Sequence, residues 1–315
     1  MALQETAAGA TPAGATARTA APEWKIDYLS PAGEASLVPP DSVQWRVYRN
    51  PIAIGIGGVA AVLLEFADPR IRSGVWDHSV FKVDPIGRSR RTGVAAMVGV
   101  YGPASVARKV IGGVNRMHGK VRGETPGGQA YFALDPVLLD WVFATALFGF
   151  SEAYHQFVRP LSPDERTEFY RDGAIVGTLY GVRNCVGSPA DFDAMLGTLL
   201  PNFEPHPINT EFLNIICSGE ASPSVPRFLH RALARAAVSI LPPVVRARLA
   251  LGSEWDLTVL DRLALKTAGR LADLYRDRTS PAWQGAIRQG LPGDFSWRPP
   301  AEQRELFAAR QAAPR

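Results

Sequence analysis

The chain has 315 residues and a mass of 34.1 kDa; 46% of it is apolar, and 34 basic against 30 acidic residues leave a net charge of +4. That apolar share suffices for a sizeable core and excludes wholesale disorder, while so small and dispersed a charge excess argues against nucleic acid as a partner. The two cysteines, Cys185 and Cys217, exclude a disulfide scaffold and form no CxxC metal pair, so a reducing, cytoplasmic setting is expected.

Residues 1–44 open on MALQETAAGATPAGATARTAAPEW, rich in Ala, Gly and Thr. Side chains this short bury too little surface to offset ordering entropy, and a flexible arm is expected. The stretch lacks the basic start and continuous apolar run of a secretory signal. The run Pro51–Leu64 has 14 residues before Glu65; a membrane span needs about 20, so a buried core helix is expected. A second apolar run, Val137–Phe150, is interrupted by Asp140.

Helix starts recur further along. Asp135-Pro136 places a capping acceptor before a proline at the first helical position. Ser162-Pro163-Asp164-Glu165 is a capping box. Ser188-Pro189-Ala190-Asp191 repeats the Ser-Pro start, and its helix must end near Pro201. The stretches Arg227–Leu241 and Leu257–Arg276 also read as helices, and Pro226 stands where the first begins. Alternating strand patterns are scarce and no repeat of 20 to 50 residues is present. The expected architecture is all-α: one large helical domain over residues 45–285, then a loose C-terminal tail over 286–315 with one short helix. A soluble protein with no integral span follows, with peripheral contact to a membrane left open.

Three motifs invite chemistry. The cluster Gly55, Gly57, Gly58 lacks the full GxGxxG spacing and a preceding strand, so it reads as close helix packing rather than a nucleotide loop. Glu152-x-x-His155 is half of a carboxylate-bridged di-iron site, but no second copy exists and an ordinary helix face is the simpler reading. The third lies between Asp84 and Gly123, where two helices flank Gly102-Pro103. On the first, Arg88, Arg91 and Thr92 stand at i, i+3 and i+4 and share a face suited to an anionic group; a solvated basic face is the alternative. On the second, Val106, Val110, Val114 and His118 recur every four residues, which sets an imidazole at the end of an apolar stripe. Such a ring is either a satisfied core histidine or a ligand to an apolar group carrying a metal, for which haem is suited.

These residues resemble a family. Arg88-x-x-Arg91-Thr92 followed by His118-x-x-Val121-x-Gly123 is similar to the pattern of the MpaB-type oxygenases, which include the latex-clearing rubber oxygenases. Further echoes are Ala67-Asp68-Pro69, Asp77-His78-Ser79-x-Phe81, Tyr131-x-Ala133-x-Asp135-Pro136, Leu139-x-Trp141-Val142 and Leu161-Ser162-x-x-Glu165-Arg166. The resemblance implies a globin-like helical core holding haem b, and O2-dependent cleavage or oxygenation of an isoprenoid-like alkene. It implies His118 as proximal iron ligand and Arg88 and Thr92 as haem-pocket residues. Arg91 stands where latex-clearing proteins carry a distal lysine, and an arginine there implies a different distal arrangement; Arg88 and Arg91 are the candidates for polarising oxygen. Asp68 replaces a usual histidine before Pro69, and Phe143 a histidine after Trp141-Val142. Glu65 and Asp77 are candidates for the group that takes an allylic proton. His78 and His155 are reserve ligands, whereas His206 and His230 read as superficial. The alternatives to a haem oxygenase are a non-catalytic haem-binding protein and a helical carrier of apolar molecules.

Overall fold

A computed structural model describes residues 25–78, 84–220 and 225–312. Its helices in chain order are α1 (Val43–Tyr48), α2 (Pro51–Phe66), α3 (Pro69–His78), α4 (Pro85–Tyr101), α5 (Ala104–His118), α6 (Pro136–Phe157), α7 (Pro163–Tyr180), α8 (Pro189–Leu199), α9 (Pro207–Ser218), α10 (Arg227–Ile240), α11 (Pro243–Arg248), α12 (Val259–Leu274), α13 (Pro281–Arg288) and α14 (Pro300–Ala312). The one hairpin among the described residues pairs β1 (Arg122–Glu124) with β2 (Ala130–Phe132), antiparallel with Gly123 opposite Tyr131. The protein is therefore all-α, as the sequence implies.

Local chemistry sets the helix starts. Asn50 Oδ1 accepts from the amides of Ile52 and Ala53 ahead of α2, and Asp135 accepts from Val137 and Leu138 ahead of α6. The Ser162–Glu165 box caps α7 reciprocally, and Ser188 caps α8. Helix α8 ends at Leu199, and the proline at 201 falls in the short 3-10 turn that follows.

The core centres on α2 and α6, which run antiparallel in contact. Trp141 Nε1 donates to the Leu64 carbonyl at 3.2 Å, while Gly57 and Gly149 meet further along the pair. A Cβ on either glycine would overlap the carbonyl oxygen of the other. The glycines thus let two backbones touch, the packing role expected for that cluster. Gly149→Val should cost about 3 kcal/mol or more, because backbone cannot step aside as a side chain can; an unchanged midpoint in urea unfolding would refute this. Helix α6 is long and apolar enough to cross a membrane, but 67% of its apolar window is buried inside the molecule. It is accounted for as the central core helix.

Described residues on both sides of the central helices pack onto them, and the helix expected near the C-terminus is α14. Arg288 on α13 is 2% exposed. It donates to the carbonyls of Tyr28 (2.8 Å), Glu34 (2.8 Å) and Tyr101 (2.9 Å), fastening residues 28–36 to the end of α4. Leu37 and Val38 are buried and Trp45 Nε1 donates to the Val38 carbonyl. On the other side Phe295 is fully buried, Arg49 donates to Ser296 O at 2.6 Å, and Arg310 donates to Gln289 O. One buried guanidinium or ring can hold a chain that is otherwise short of apolar residues.

Candidate active site

The helices α2, α4, α5 and α6 bring four side chains together. Glu65 sits near the C-terminal end of α2, just past its apolar run. Thr145, fully buried on α6, donates to Glu65 Oε1 at 3.3 Å. Arg88 comes from the first turns of α4, which Asp84 caps by accepting from the Gly87 amide at 2.8 Å. His118 is the last residue of α5.

Electrostatics link the group. Burial raises the Glu65 carboxyl to about 7, against the opposing pull of the Arg88 charge and the Thr145 hydrogen bond. Burial also lowers the Arg88 guanidinium; Glu65 holds it up and Arg91 adds a like charge that lowers it further. His118 is pushed below 6.5, mainly by burial and then by Arg88, so its imidazole is neutral near pH 7. One cation thus acts on a carboxyl and an imidazole that lie 53 positions apart in the chain. The His118 Nδ1 atom is buried and has no hydrogen-bond partner among the described residues.

The walls are apolar and only half covered. Val59 and Val62 on α2, Ala96 on α4, and Val142 and Ala146 on α6 pack on the core yet keep part of their surface free. Val62 and Val142 stand three positions before Glu65 and Thr145 and share their helix faces.

The remaining sequence candidates have partners of their own. Thr92 is exposed and its hydroxyl donates to the Arg88 carbonyl at 3.1 Å within α4. Arg91 lies 3.5 Å from Asp84, its partner at the start of the same helix. Asp77 is exposed near Tyr131, whereas Glu65 is the acid beside Arg88. His78 Nε2 is 3.0 Å from the Tyr131 hydroxyl. His155 Nδ1 accepts from the Leu161 amide at 3.0 Å, and Glu152 pairs with Arg166 at 2.6 Å, so the ExxH pair serves the fold. His206 caps α9 by accepting from the Ile208 amide. His230 is not superficial: it is 4% exposed and packs over the turn at Gly219, a burial that its arginine-rich helix disguised.

The two departures from the family pattern also have structural accounts. Asp68 is 1% exposed and forks onto Arg70 at 3.0 and 2.6 Å, closing the start of α3. Phe143 packs against Gly177 of α7, which Cys185 also approaches. Ser79 and Phe81 of the upstream echo lie outside the described residues. Thr145 was missed as a site residue, since a threonine inside an apolar helix carries no sign of a partner 80 positions away.

Among the described residues no three His, Cys, Asp or Glu are grouped to hold a metal ion. A bare ion needs several protein donors, whereas haem iron needs one neutral imidazole beside an apolar wall. The unpartnered His118 nitrogen and the half-covered valines and alanines fit that second requirement.

A helical domain that links an acid, a cation and an imidazole electrostatically has the parts of a site for chemistry. The chain matches the family described as ER-bound oxygenase mpaB/B'/Rubber oxygenase, catalytic domain, over residues 45–274. It belongs to that family, and the span covers α1 through α12. No curated protein and no solved structure matches the chain.

Proposed function

We propose that the protein is a haem b-dependent oxygenase that acts with O2 on an apolar, isoprenoid-like alkene, by oxidative cleavage or oxygenation. The observation that carries this reading is that the Arg88 charge reaches both Glu65 and a neutral His118 whose buried Nδ1 has no partner. When bound, haem b supplies the redox centre for dioxygen chemistry.

The chain's own residues then have separate tasks. His118 offers a neutral ring nitrogen to iron. Arg88 keeps a positive charge beside that ring, where it favours an anionic group such as a propionate or developing negative charge on oxygen. Arg91 is a second cation on the same helix, and Thr92 adds a hydroxyl. Glu65, with a pKa of about 7, is present as acid and as base near neutrality and is the better placed of the two acids to accept an allylic proton. The aliphatic wall excludes water and suits an apolar alkene. A globin-like arrangement of the core and a cytoplasmic setting belong to the same proposal.

The test begins with hemin added to the purified protein. A stoichiometric complex with an intense Soret band, and carbonyl products from isoprenoid alkenes only when O2 is present, are the expected results. Haem binding with no O2-dependent product would leave a haem-holding protein instead, and a protein that stays colourless would end the haem reading.

A further inference from the structure

Helix α12 turns the wrong side outward. Leu265 and Gly269 face the body, where Gly269 abuts the Phe157 carbonyl and Asn50 donates to the Gly269 carbonyl at 2.9 Å. On the other side Leu260 is 78% exposed, Leu263 62%, Leu271 63% and Leu274 74%. With Thr267 these positions follow a 3-4-4-3 spacing, which makes one continuous outward stripe about 21 Å long. Tyr275, 71% exposed, closes its end. Large apolar side chains in a row on the surface mark a contact, in contrast to scattered single ones.

The charges beside the stripe identify the partner. Both acids of α12 are tied to the body: Asp261 pairs with Arg235 at 3.0 Å, and Asp273 pairs with Arg49 at 3.1 Å. Lys266 and Arg270 make no hydrogen bond or ion pair among the described residues, and on a helical projection they border and interrupt the stripe. Arg262 lies on the body side of the helix, over the Phe157 ring. The outward face is thus leucine with cations along one edge and small alanines along the other, and no outward acid on the helix. A second copy set against it would bring cations onto cations. A bilayer with anionic headgroups instead satisfies both halves, burying the leucines at the acyl boundary and pairing the cations with phosphate and carboxylate.

We infer that α12 is an interfacial helix that docks the domain on an anionic membrane surface. The inference does not depend on haem. Helix α12 meets α2 at Asn50, whereas Glu65 stands at the other end of α2, some 22 Å along the axis. Surface and site therefore have separate readouts.

The test is co-sedimentation of the full chain with phosphatidylcholine vesicles, with and without phosphatidylserine. Binding is expected with phosphatidylserine, weaker without it, and weakened by salt. The pair Lys266→Glu and Arg270→Glu should lower affinity for the anionic vesicles roughly tenfold or more. The triple change Leu263→Ser, Leu271→Ser, Leu274→Ser should abolish binding. Because Arg270 and the three leucines are exposed and the half-buried Lys266 has no partner to lose, circular dichroism and thermal midpoint should be unchanged in both variants. Wild-type protein that ignores anionic vesicles, or variants that bind as well as wild type, would overturn the inference. So would a dimer in sedimentation velocity that the leucine variant converts to monomer, since the stripe would then be covered by a second copy.

Discussion

Replacing His118 by Ala should give a folded protein that no longer retains haem. The ring lies at the last position of α5, is half buried, and its Nδ1 has no partner to lose. Truncation therefore strands no donor or acceptor, and a stability loss of about 1 kcal/mol or less is expected. The loss of haem should be near complete, because the other histidines are engaged elsewhere: His78 with Tyr131, His155 and His206 with backbone amides, and His230 buried against the turn at Gly219. The measurement is the Soret absorbance after hemin addition and gel filtration, beside a thermal midpoint. His118→Gly should recover the band when imidazole is supplied in solution. Full retention of an unaltered haem spectrum by His118→Ala would refute the assignment.

The second large effect is expected at Glu65. With a pKa of about 7, the carboxylate form that can accept a proton grows as pH rises through neutrality. Turnover should therefore climb between about pH 6 and 8 and level off above. Glu65→Gln keeps the shape and still offers Thr145 an acceptor, so haem retention should be unaltered while turnover falls on the order of a hundredfold or more. The pH dependence around 7 should vanish with it. A Glu65→Gln variant with wild-type turnover, or one that keeps the same pH profile, would remove Glu65 from the chemistry.

The same shift has a consequence for folding, with a defined sign. The folded carboxyl titrates near 7 and the free one near 4.5, so the folded state holds a proton that the unfolded chain has released. Stability from this group therefore falls as pH rises from about 4.5 to 7, and Glu65→Gln should flatten that slope. The charged form is kept tolerable by Arg88, whose own guanidinium is lowered by burial and held up by Glu65. Each residue thus justifies the burial of the other, which is why a carboxyl can stand against a wall of valine and alanine.

Much of the fold was written in short-range chemistry. Ser162 with Glu165, Ser188 with Pro189 and Asp135 with Pro136 each close a helix start within a few residues, so sequence alone dictates them, and the observed helices begin there. The glycine cluster at 55–58 was legible as helix packing because its surroundings are uniformly apolar, and the family pattern from Arg88 to His118 runs on consecutive helices. What the chain alone left open was which acid, which cation and which hydroxyl meet. Glu65, Arg88 and Thr145 sit on three helices, and the antiparallel packing of α2 on α6 is what brings Thr145 onto Glu65. The stripe on α12 was equally hidden, since its leucines read as core until the fold spent the opposite face of that helix on Phe157 and Asn50. Capping and periodicity are local, whereas burial, and with it every shifted pKa and every outward leucine, is set by neighbours far along the chain.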